Sequence, residues 1–223
     1  MPCPKVVLFD IMQTVFDLEP LKERLLSAGL PTGFLHPWLM RTLRDGFVLA
    51  VTDTFVPFRE VAKAALLAMS AEQRLHATEA HVEEVLAGFP QLPAHADVAP
   101  AFEALNAAGV SIAAFSNSSE DTMRAQLAKA GLATLVHEVI SVDEARAWKP
   151  RREAYDFAVR RMGAAAGETA LVAGHSWDCH GAKHAGLMTG WVRRLEASPD
   201  PLMHTPDVTG TNLIEVVDKL LAL

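Results

Sequence analysis

The sequence has little of several features that would assign it to a specialised class of protein. Cysteine occurs twice in 223 residues, at Cys3 and Cys179, which is too few for a disulfide framework. No apolar stretch approaches the roughly 18 residues that span a membrane. The N-terminus lacks a basic region, a long apolar run and a cleavage site, so no secretory signal is visible. We therefore expect a cytoplasmic protein with no membrane partner.

Positive charge is also scarce. The 20 lysines and arginines are outnumbered by 27 aspartates and glutamates, which gives a formal net charge of −7 at pH 7. This balance argues against a nucleic-acid partner. Half of the residues are hydrophobic, which is ample for a sizeable core, and the sequence shows no internal repeat or low-complexity segment. The length suits one α/β domain or a core with a modest insertion.

The start of the chain carries the strongest functional signal. Four apolar residues, 6 to 9, run directly into Asp10, and Thr14 follows four positions later. A continuous apolar run predicts a strand that is buried on both faces of a parallel sheet. An aspartate at the carboxyl end of such a strand lies where open α/β sheets place their chemistry, and it can act as a nucleophile. A turn aspartate that simply ends the strand is the alternative for Asp10 taken alone.

Three later segments place further polar residues at predicted strand or helix ends. The apolar run 110–115 is followed by Ser116 and Asn117, and then by serines and acids that predict the start of a helix, whose free N–H groups suit an anion. Lys149 precedes a proline that opens the next helix. A further apolar run, 170–173, leads through a glycine-containing turn to Asp178. The order Asp, Ser-Asn, Lys, Asp is much more specific than any one of these residues.

These segments resemble the four motifs of the haloacid dehalogenase (HAD) superfamily. Within it the chain is most similar to the type II branch, the L-2-haloacid dehalogenases, because Phe16-Asp17 follows the first motif and Trp177 precedes the last acid. The resemblance covers nearly the whole chain. The matching residues are Asp10 and Thr14 in the first motif, Ser116 and Asn117 in the second, Lys149 in the third and Asp178 in the fourth.

The resemblance implies an α/β fold, with a Rossmann-like parallel sheet as the HAD core and an inserted helical cap that closes over the active site. Strand and helix signals alternate from about residue 98, which favours βα units. The intervening pattern is helical only. We expect a core of residues 1–15 and 95–223 and a cap of residues 16–94. The predicted cap helices are Leu18 to Ala28, about Gly33 to Val51, Pro57 to Met69 and Ala71 to Leu86.

The family mechanism implies that Asp10 attacks the carbon that bears the halogen, expels halide and forms an aspartyl ester, which water then hydrolyses. No metal or other cofactor is expected, because halide leaves as an anion that needs only hydrogen-bond donors. The roles implied for the matching residues are that Lys149 keeps Asp10 ionised, Asp178 orients Lys149 or water, Thr14 holds Asp10, Ser116 receives the substrate carboxylate and Asn117 faces the halide.

Two positions separate this chemistry from phosphoryl transfer. Met12 stands where phosphatases of the superfamily carry a second aspartate as general acid. Gly174 stands where the first acid of their paired Mg²⁺ ligands would be. Both differences disfavour a Mg²⁺-dependent phosphatase, which remains the alternative enzyme.

The sequence also departs from the dehalogenase branch, which typically has a tyrosine where Met12 stands and a glycine at Gln13. Its cap carries an arginine that serves halide and substrate carboxylate, and Leu39 occupies that position here. Arg41 and Arg44 lie roughly 200° and about 140° around a helix from Leu39, so both would face away. A HAD-fold protein that has lost catalysis and binds a small acid or a partner is therefore a third hypothesis.

His175 replaces an asparagine of the branch, and it could position water, act as a base or be a satisfied histidine without a catalytic role. The predicted substrate contacts are Ser116, Asn117, Met12, Leu39, Phe58 and Trp177, around a small haloacid-like carboxylate. A homodimer is possible.

Other features have simpler interpretations. We expect Trp38, Phe47 and Phe55 in the cap core, with Phe58 divided between core and pocket. His180 and His184 could reach one metal ion, although an exposed helix face is the favoured reading. Cys179 is expected to be a small packed residue. Solvation is sufficient to explain the pair Arg193-Arg194.

Overall fold

The computed structural model describes residues 3–223. Within them, six parallel strands form one sheet in the order β3-β2-β1-β4-β5-β6, which confirms the α/β, Rossmann-like expectation. The strands are β1 (Val6–Phe9), β2 (Ser111–Ser116), β3 (Glu138–Ser141), β4 (Thr169–Ala173), β5 (Met188–Val192) and β6 (Val208–Gly210).

The strand order reverses at β1, which pairs with β2 on one side and with β4 on the other. Such a reversal opens a crevice outside the carboxyl ends of the strands, where α/β proteins bind ligands. Asp10, the residue after β1, therefore lies at the switch point of the sheet.

Helices cover both faces of the sheet, which explains why β1 is entirely apolar and fully buried. Val7 and Phe9 point into one hydrophobic cluster with Phe102, and Leu8 points into a second with Tyr155. The helices from residue 98 onward are α5 (Val98–Ala107), α6 (Glu120–Lys129), α7 (Val142–Ala145), α8 (Arg152–Arg161), α9 (Ser176–His184) and α10 (Leu213–Leu221).

Four helices lie between β1 and α5, as the sequence predicts. They are α1 (Leu21–Ser27), α2 (Leu35–Val51), α3 (Phe58–Glu72) and α4 (Glu79–Leu86). The assignment of residues 16–94 to a cap and of residues 1–15 and 95–223 to a core stays a proposal.

The predicted boundaries of these helices need correction. The first begins at Leu21 rather than Leu18, and the second follows a 3₁₀ turn over Thr32–Phe34. The fourth does not begin at Ala71, because α3 continues through these good helix formers to Glu72. It begins at Glu79, where the Thr78 hydroxyl accepts the N–H of His81.

The aromatic residues of the helical segment divide between core and surface. Trp38 is fully buried and donates from its indole nitrogen to the carbonyl of Ala62 at 2.7 Å. Phe58 is also buried, 6% exposed. Phe55 is half-buried and packs against the hydrophobic core, whereas Phe47 is half-buried outside it, so the prediction of a core position was wrong for Phe47. Phe47 packs edge-on against Trp177 instead, with ring centroids 5.1 Å apart.

Cys3 is exposed and Cys179 is buried, and both thiols are free. Cys179 is thus a packed residue, as expected. Among residues 3–223, no helix combines the length and apolarity needed to cross a membrane.

Candidate active site

The predicted site residues converge at the switch point of the sheet. Asp10 follows β1, Ser116 ends β2, and His175 lies between β4 and α9. Asp178 sits in the first turn of α9, and Lys149 sits in the loop before α8. Segments up to 168 positions apart in the sequence therefore meet in one place.

Lys149 is the centre of this cluster. Its Nζ lies 2.9 Å from Oδ1 of Asp10 and 2.6 Å from Oδ2 of Asp178, and it also donates to the carbonyl of Phe115 at 3.2 Å. The lysine side chain has no exposed surface. An unpaired ammonium would be very costly in such a place, so the two carboxylates and the carbonyl are what allow the charge to be buried.

Electrostatics keeps the central pair ionised. Burial alone would raise the pKa of Asp10, but Lys149 and then His175 outweigh it and hold that pKa well below its usual range. Burial would lower the pKa of Lys149, but Asp10 and Asp178 raise it above its ordinary value. Asp10 is therefore a carboxylate at neutral pH, the form that a nucleophile requires.

The second oxygen of Asp10 is held from the other side. Thr14 Oγ1 donates to Oδ2 of Asp10 at 2.8 Å and accepts the N–H of Gly174 at 2.9 Å. These contacts hold the Asp10 carboxylate between Thr14 and Lys149.

His175 approaches the same oxygen. Its Nδ1 lies 3.4 Å from Oδ2 of Asp10, is not oriented for a hydrogen bond, and has no other hydrogen-bond partner among residues 3–223. Its Nε2 lies 2.9 Å from Oε1 of Gln13. Burial would lower the pKa of His175, but the Asp10 carboxylate outweighs burial and raises it above 6.5. The ring is held by Gln13 while its second nitrogen faces the nucleophile.

Gln13 belongs to the site, although the sequence did not predict that its side chain contacts His175. It adopts a left-handed backbone conformation, with φ at 63°, which is uncommon for any residue except glycine. The branch usually has glycine at this position, and that difference was the available signal. The glutamine keeps the glycine-like backbone and adds a buried side chain that reaches His175.

Tyr155 was also missed. Its hydroxyl donates to Oδ1 of Asp178 at 2.6 Å, while Lys149 donates to the other oxygen of this carboxylate. Burial raises the pKa of Asp178, and Lys149 opposes that effect without cancelling it. Tyr155 lies on the buried face of α8, and no local pattern distinguishes it from an ordinary core residue.

The motif formed by Ser116 and Asn117 holds the backbone around Lys149. Asn117 accepts the N–H of Lys149 at 2.9 Å and donates to its carbonyl at 3.4 Å. Ser116 Oγ accepts the N–H of Ser118 at 3.1 Å. Both side chains also line the small chamber beside Asp10, so contact with a ligand remains geometrically open to them.

This chamber has a volume of about 30 Å³ and mostly apolar walls. Leu39, the predicted replacement of the cap arginine, is buried in its wall. Arg41 points elsewhere and pairs with Glu72 at 2.8 Å, and Arg44 does not line the chamber. No arginine contributes to the lining within the described part of the chain. The residues that line it are Asp10, Met12, Gln13, Leu18, Leu39, Leu43, Phe58, Ser116, Asn117, His175 and Trp177.

Arg194 is not a solvated surface residue, and that interpretation was wrong. Its guanidinium donates to the carbonyl of Thr14 at 3.2 Å and to both carboxylate oxygens of Asp97 at 2.9 and 3.0 Å. A Cβ atom on Gly174 would lie 3.0 Å from Cγ of Arg194. The arginine therefore packs where a side chain at position 174 would begin, a contact that the sequence alone could not reveal.

The donor set does not suit Mg²⁺, which prefers several carboxylate oxygens. Lys149 already occupies one oxygen of each of the two acids, Asp10 and Asp178, and Gly174 supplies no carboxylate. Within residues 3–223 no group of three or more histidines, cysteines and acids could hold a metal ion. His180 does not pair with His184; its ring stacks on His204, with centroids 4.7 Å apart.

Comparison with known proteins shows similarity to haloacid dehalogenases along nearly the whole chain. Haloacetate dehalogenase H-2 of Moraxella sp. (strain B) is 25% identical over 223 residues, covering 98% of this chain and 97% of the relative. (S)-2-haloacid dehalogenase H-109 of Pseudomonas putida is 25% identical over 217 residues, covering 96% and 97%.

The fold is shared with a solved L-2-haloacid dehalogenase from Xanthobacter autotrophicus, at a TM-score of 0.87 and 24% identity, covering 96% of this chain and 97% of that one. The family model described as haloacid dehalogenase-like hydrolase matches residues 4–186. Since that match spans most of the chain and includes all four motifs, the chain belongs to the haloacid dehalogenase-like hydrolases.

Proposed function

We propose that this protein hydrolyses the carbon–halogen bond of a small 2-halocarboxylic acid of (S) configuration through an ester on Asp10. The observation that carries this proposal is the buried, ionised Asp10, held 2.9 Å from Lys149 beside an apolar chamber. Met12, which lines that chamber, offers no proton to a leaving alcohol, as a phosphatase would require. The names of the relatives, haloacetate and (S)-2-haloacid dehalogenases, support the same substrate class.

In the first step a carboxylate oxygen of Asp10 attacks the carbon that bears the halogen. A C–O bond forms, the C–halogen bond breaks, and halide leaves with the bonding electron pair. Attack opposite the leaving group inverts the carbon, so an (S) acid gives an (R)-hydroxy acid. Ser116 would receive the substrate carboxylate. Asn117 and the indole N–H of Trp177, which has no hydrogen-bond partner among residues 3–223, would donate to the halide.

In the second step water attacks the carbonyl carbon of the ester, and His175 is the group placed to accept its proton. Esterification removes the charge of Asp10, which is the partner that raises the pKa of His175. Burial then favours the neutral ring, so Nδ1 becomes a base when water must be activated. The acyl C–O bond breaks, the hydroxy acid leaves with the former Asp10 oxygen and takes the proton back from His175. Asp10 then releases the second proton of the water to solvent and is a carboxylate again.

Gln13, Lys149 and Asp178 complete the proposal as positioning groups. Gln13 fixes the orientation of His175 through Nε2. Lys149, held by Asp178, keeps Asp10 ionised before attack and stabilises negative charge that develops on its carbonyl oxygen during hydrolysis. We also propose that the protein is cytoplasmic and forms a homodimer.

Halide release tests the proposed function. We expect purified protein to release halide from (S)-2-chloro- and (S)-2-bromopropionate in the presence of EDTA, and we expect Asp10→Asn to release none. Circular dichroism of the variant controls for folding. Release of phosphate from phosphate esters that depends on Mg²⁺, without halide release, would replace the proposal by a phosphatase.

The absence of a cap arginine at Leu39 favours a second candidate, a HAD-fold protein that binds a small acid without turning it over. Calorimetric binding of 2-chloropropionate with neither halide nor phosphate release would establish that alternative.

A further inference from the structure

A second cavity adjoins the chamber and is much larger. It is a groove of about 630 Å³ between one side of α2 and the segment at Leu195-Glu196. Apolar side chains of α2 form most of its wall, including Met40, Phe47 and Val48. We call it the α2 groove.

Several apolar side chains that line the α2 groove are exposed to solvent. Met40 is 48% exposed, Val48 57%, Val51 83% and Leu195 51%. Single exposed hydrophobic residues are ordinary, but a contiguous concave set of this kind marks a ligand or partner site.

The groove and the chamber share three walls, namely Leu43, His175 and Trp177. The rings of His175 and Trp177 lie 5.6 Å apart, and Phe47 continues the aromatic wall on the groove side. Nδ1 of His175 is 3.4 Å from the nucleophile oxygen of Asp10. The groove therefore begins one side chain away from the reacting atoms.

The two cavities differ in volume, so each suits a different part of a substrate. The chamber, at about 30 Å³, has room for a few water-sized groups, which suits the reacting carbon with its halogen. The groove has room for an extended chain, and most of its wall along α2 is apolar, with Arg44 as the one charged side chain that this helix contributes. Leu39 in the chamber wall carries no positive charge, so it cannot bind the substrate carboxylate from the helical segment. The chamber therefore does not restrict the ligand to a short acid.

We propose that the α2 groove takes the alkyl chain of the substrate, so that 2-halocarboxylic acids with a medium or long alkyl chain are the preferred substrates. This inference rests on the proposed function. The shared walls at Leu43, His175 and Trp177 favour a substrate chain over an unrelated occupant, because a chain that leaves the reacting carbon past these side chains enters the α2 groove.

A chain-length series tests the inference. The substrates are 2-bromo acids from propionate to decanoate, each below its micelle concentration. For the first several methylenes we expect kcat/KM to rise about two- to fourfold for each one, since each buried methylene adds its transfer free energy. A value of kcat/KM that is flat or falls with chain length would overturn the inference.

A matched pair of variants shows where the chain binds. Val48→Glu places a charge in the groove wall, and Ile214→Glu places the same charge on exposed α10, outside the groove. We expect Val48→Glu to abolish the gain with chain length while leaving 2-bromopropionate turnover unchanged, and we expect Ile214→Glu to behave as wild type. Equal slopes in both variants would contradict the inference.

Two further measurements distinguish a failure of this inference from a failure of the proposed function. Calorimetric binding of unreactive decanoate, weakened by Val48→Glu but not by Ile214→Glu, supports the groove even if no halide is released, so the proposed function can fail independently. Light scattering reports the oligomeric state. If Val48→Glu dissociates a dimer and the wild type shows no dependence on chain length, the groove is covered by a second copy of the chain and the inference is wrong.

Discussion

The two ring nitrogens of His175 contact different residues. Gln13 holds Nε2 at 2.9 Å, whereas Nδ1 faces the carboxylate of Asp10 without a hydrogen bond. In the proposed mechanism, the charge of Asp10 disappears when the ester forms and returns when the ester is hydrolysed. The proton affinity of the ring therefore follows the reaction cycle: high beside the free carboxylate and lower beside the ester. A histidine that only filled space would not need this geometry.

The role of His175 can be isolated with His175→Phe, which removes both ring nitrogens; asparagine is not used because the branch carries it at this position. We expect the ester to form but to hydrolyse slowly, because the base is gone while Asp10, Lys149 and Thr14 are unchanged. Steady-state turnover should fall by about 10²–10⁴-fold. Mass spectrometry of the peptide that contains Asp10 should show the covalent adduct accumulating during turnover.

His184→Phe is the matched control, because His184 is exposed on α9. It should turn over substrate as the wild type does. An unchanged rate in His175→Phe, with no adduct, would show that His175 is a structural residue.

At the scale of single residues, the sequence predicted the main members of the site and missed their supporting contacts. Asp10, Lys149 and Asp178 could be predicted because each stands in a recognisable motif. Gln13 and Tyr155 could not, because their importance lies in side-chain directions across contacts of more than 20 residues in sequence. A glutamine with left-handed backbone geometry resembles any turn residue until the fold is known.

Among the helices, α2 contributes to both cavities. Leu39 and Leu43 line the chamber, and Met40, Phe47 and Val48 line the groove. Its amphipathic pattern predicted a helix here, with the start displaced by two residues. The pattern did not predict that an apolar stripe would stay exposed, since periodicity identifies an apolar face but not what covers it.

Gly46 sets how closely α2 approaches the loop that carries Lys149. It lies inside the helix, and a Cβ atom there would be 2.3 Å from Cζ3 of Trp148. Trp148 is in turn fixed by a bond from its indole nitrogen to the carbonyl of Val56 at 2.8 Å. The glycine is thus explained by a close approach rather than by backbone flexibility.

Gly46→Ala tests this contact, because two effects of opposite sign compete. Helix propensity alone would stabilise the protein by up to about 1 kcal/mol. Overpacking against Trp148 costs roughly 1–3 kcal/mol, and the contact is too short for a small adjustment. We expect a net loss of about 1–2 kcal/mol in the free energy of unfolding, measured with denaturant.

Gly33→Ala provides the control for Gly46→Ala. Gly33 lies in the 3₁₀ turn before α2, and no atom lies within 4 Å of the position of its Cβ. This variant should be as stable as the wild type or slightly more stable. A gain in stability for Gly46→Ala would mean that α2 can move away from Trp148 at little cost.

At the scale of the whole molecule, the sheet order explains why the sequence could predict the place of the site. The carboxyl ends of the strands beside a switch point lie close together, whatever the lengths of the chain segments between the strands. Motifs at these strand ends therefore converge. What it could not predict is how the helical segment is joined to the rest. That junction depends on single contacts such as the bond from Arg151 to the carbonyl of Ala50, which no local sequence pattern reveals.

Arg151 joins the end of α2 to the loop beside Lys149. Its guanidinium donates to the carbonyl of Ala50 at 3.0 Å and to Asp53 at 2.5 Å. The neighbouring Arg152 pairs with Asp156, at 3.3 Å on the same helix. The two arginines therefore differ in whether they connect separate parts of the molecule.

This difference predicts different effects of removing each side chain. Arg151→Ala leaves a helix-end carbonyl without its donor and releases α2, so we expect a loss of about 1–2 kcal/mol in the free energy of unfolding. Because α2 carries Leu39 and Leu43 of the chamber, KM for a haloacid should rise several-fold while kcat changes less. Arg152→Ala removes an exposed pair within one helix and should change neither quantity appreciably. Denaturant unfolding and steady-state halide release on both variants measure this, and equal behaviour of the two would show that α2 is held by its apolar packing alone.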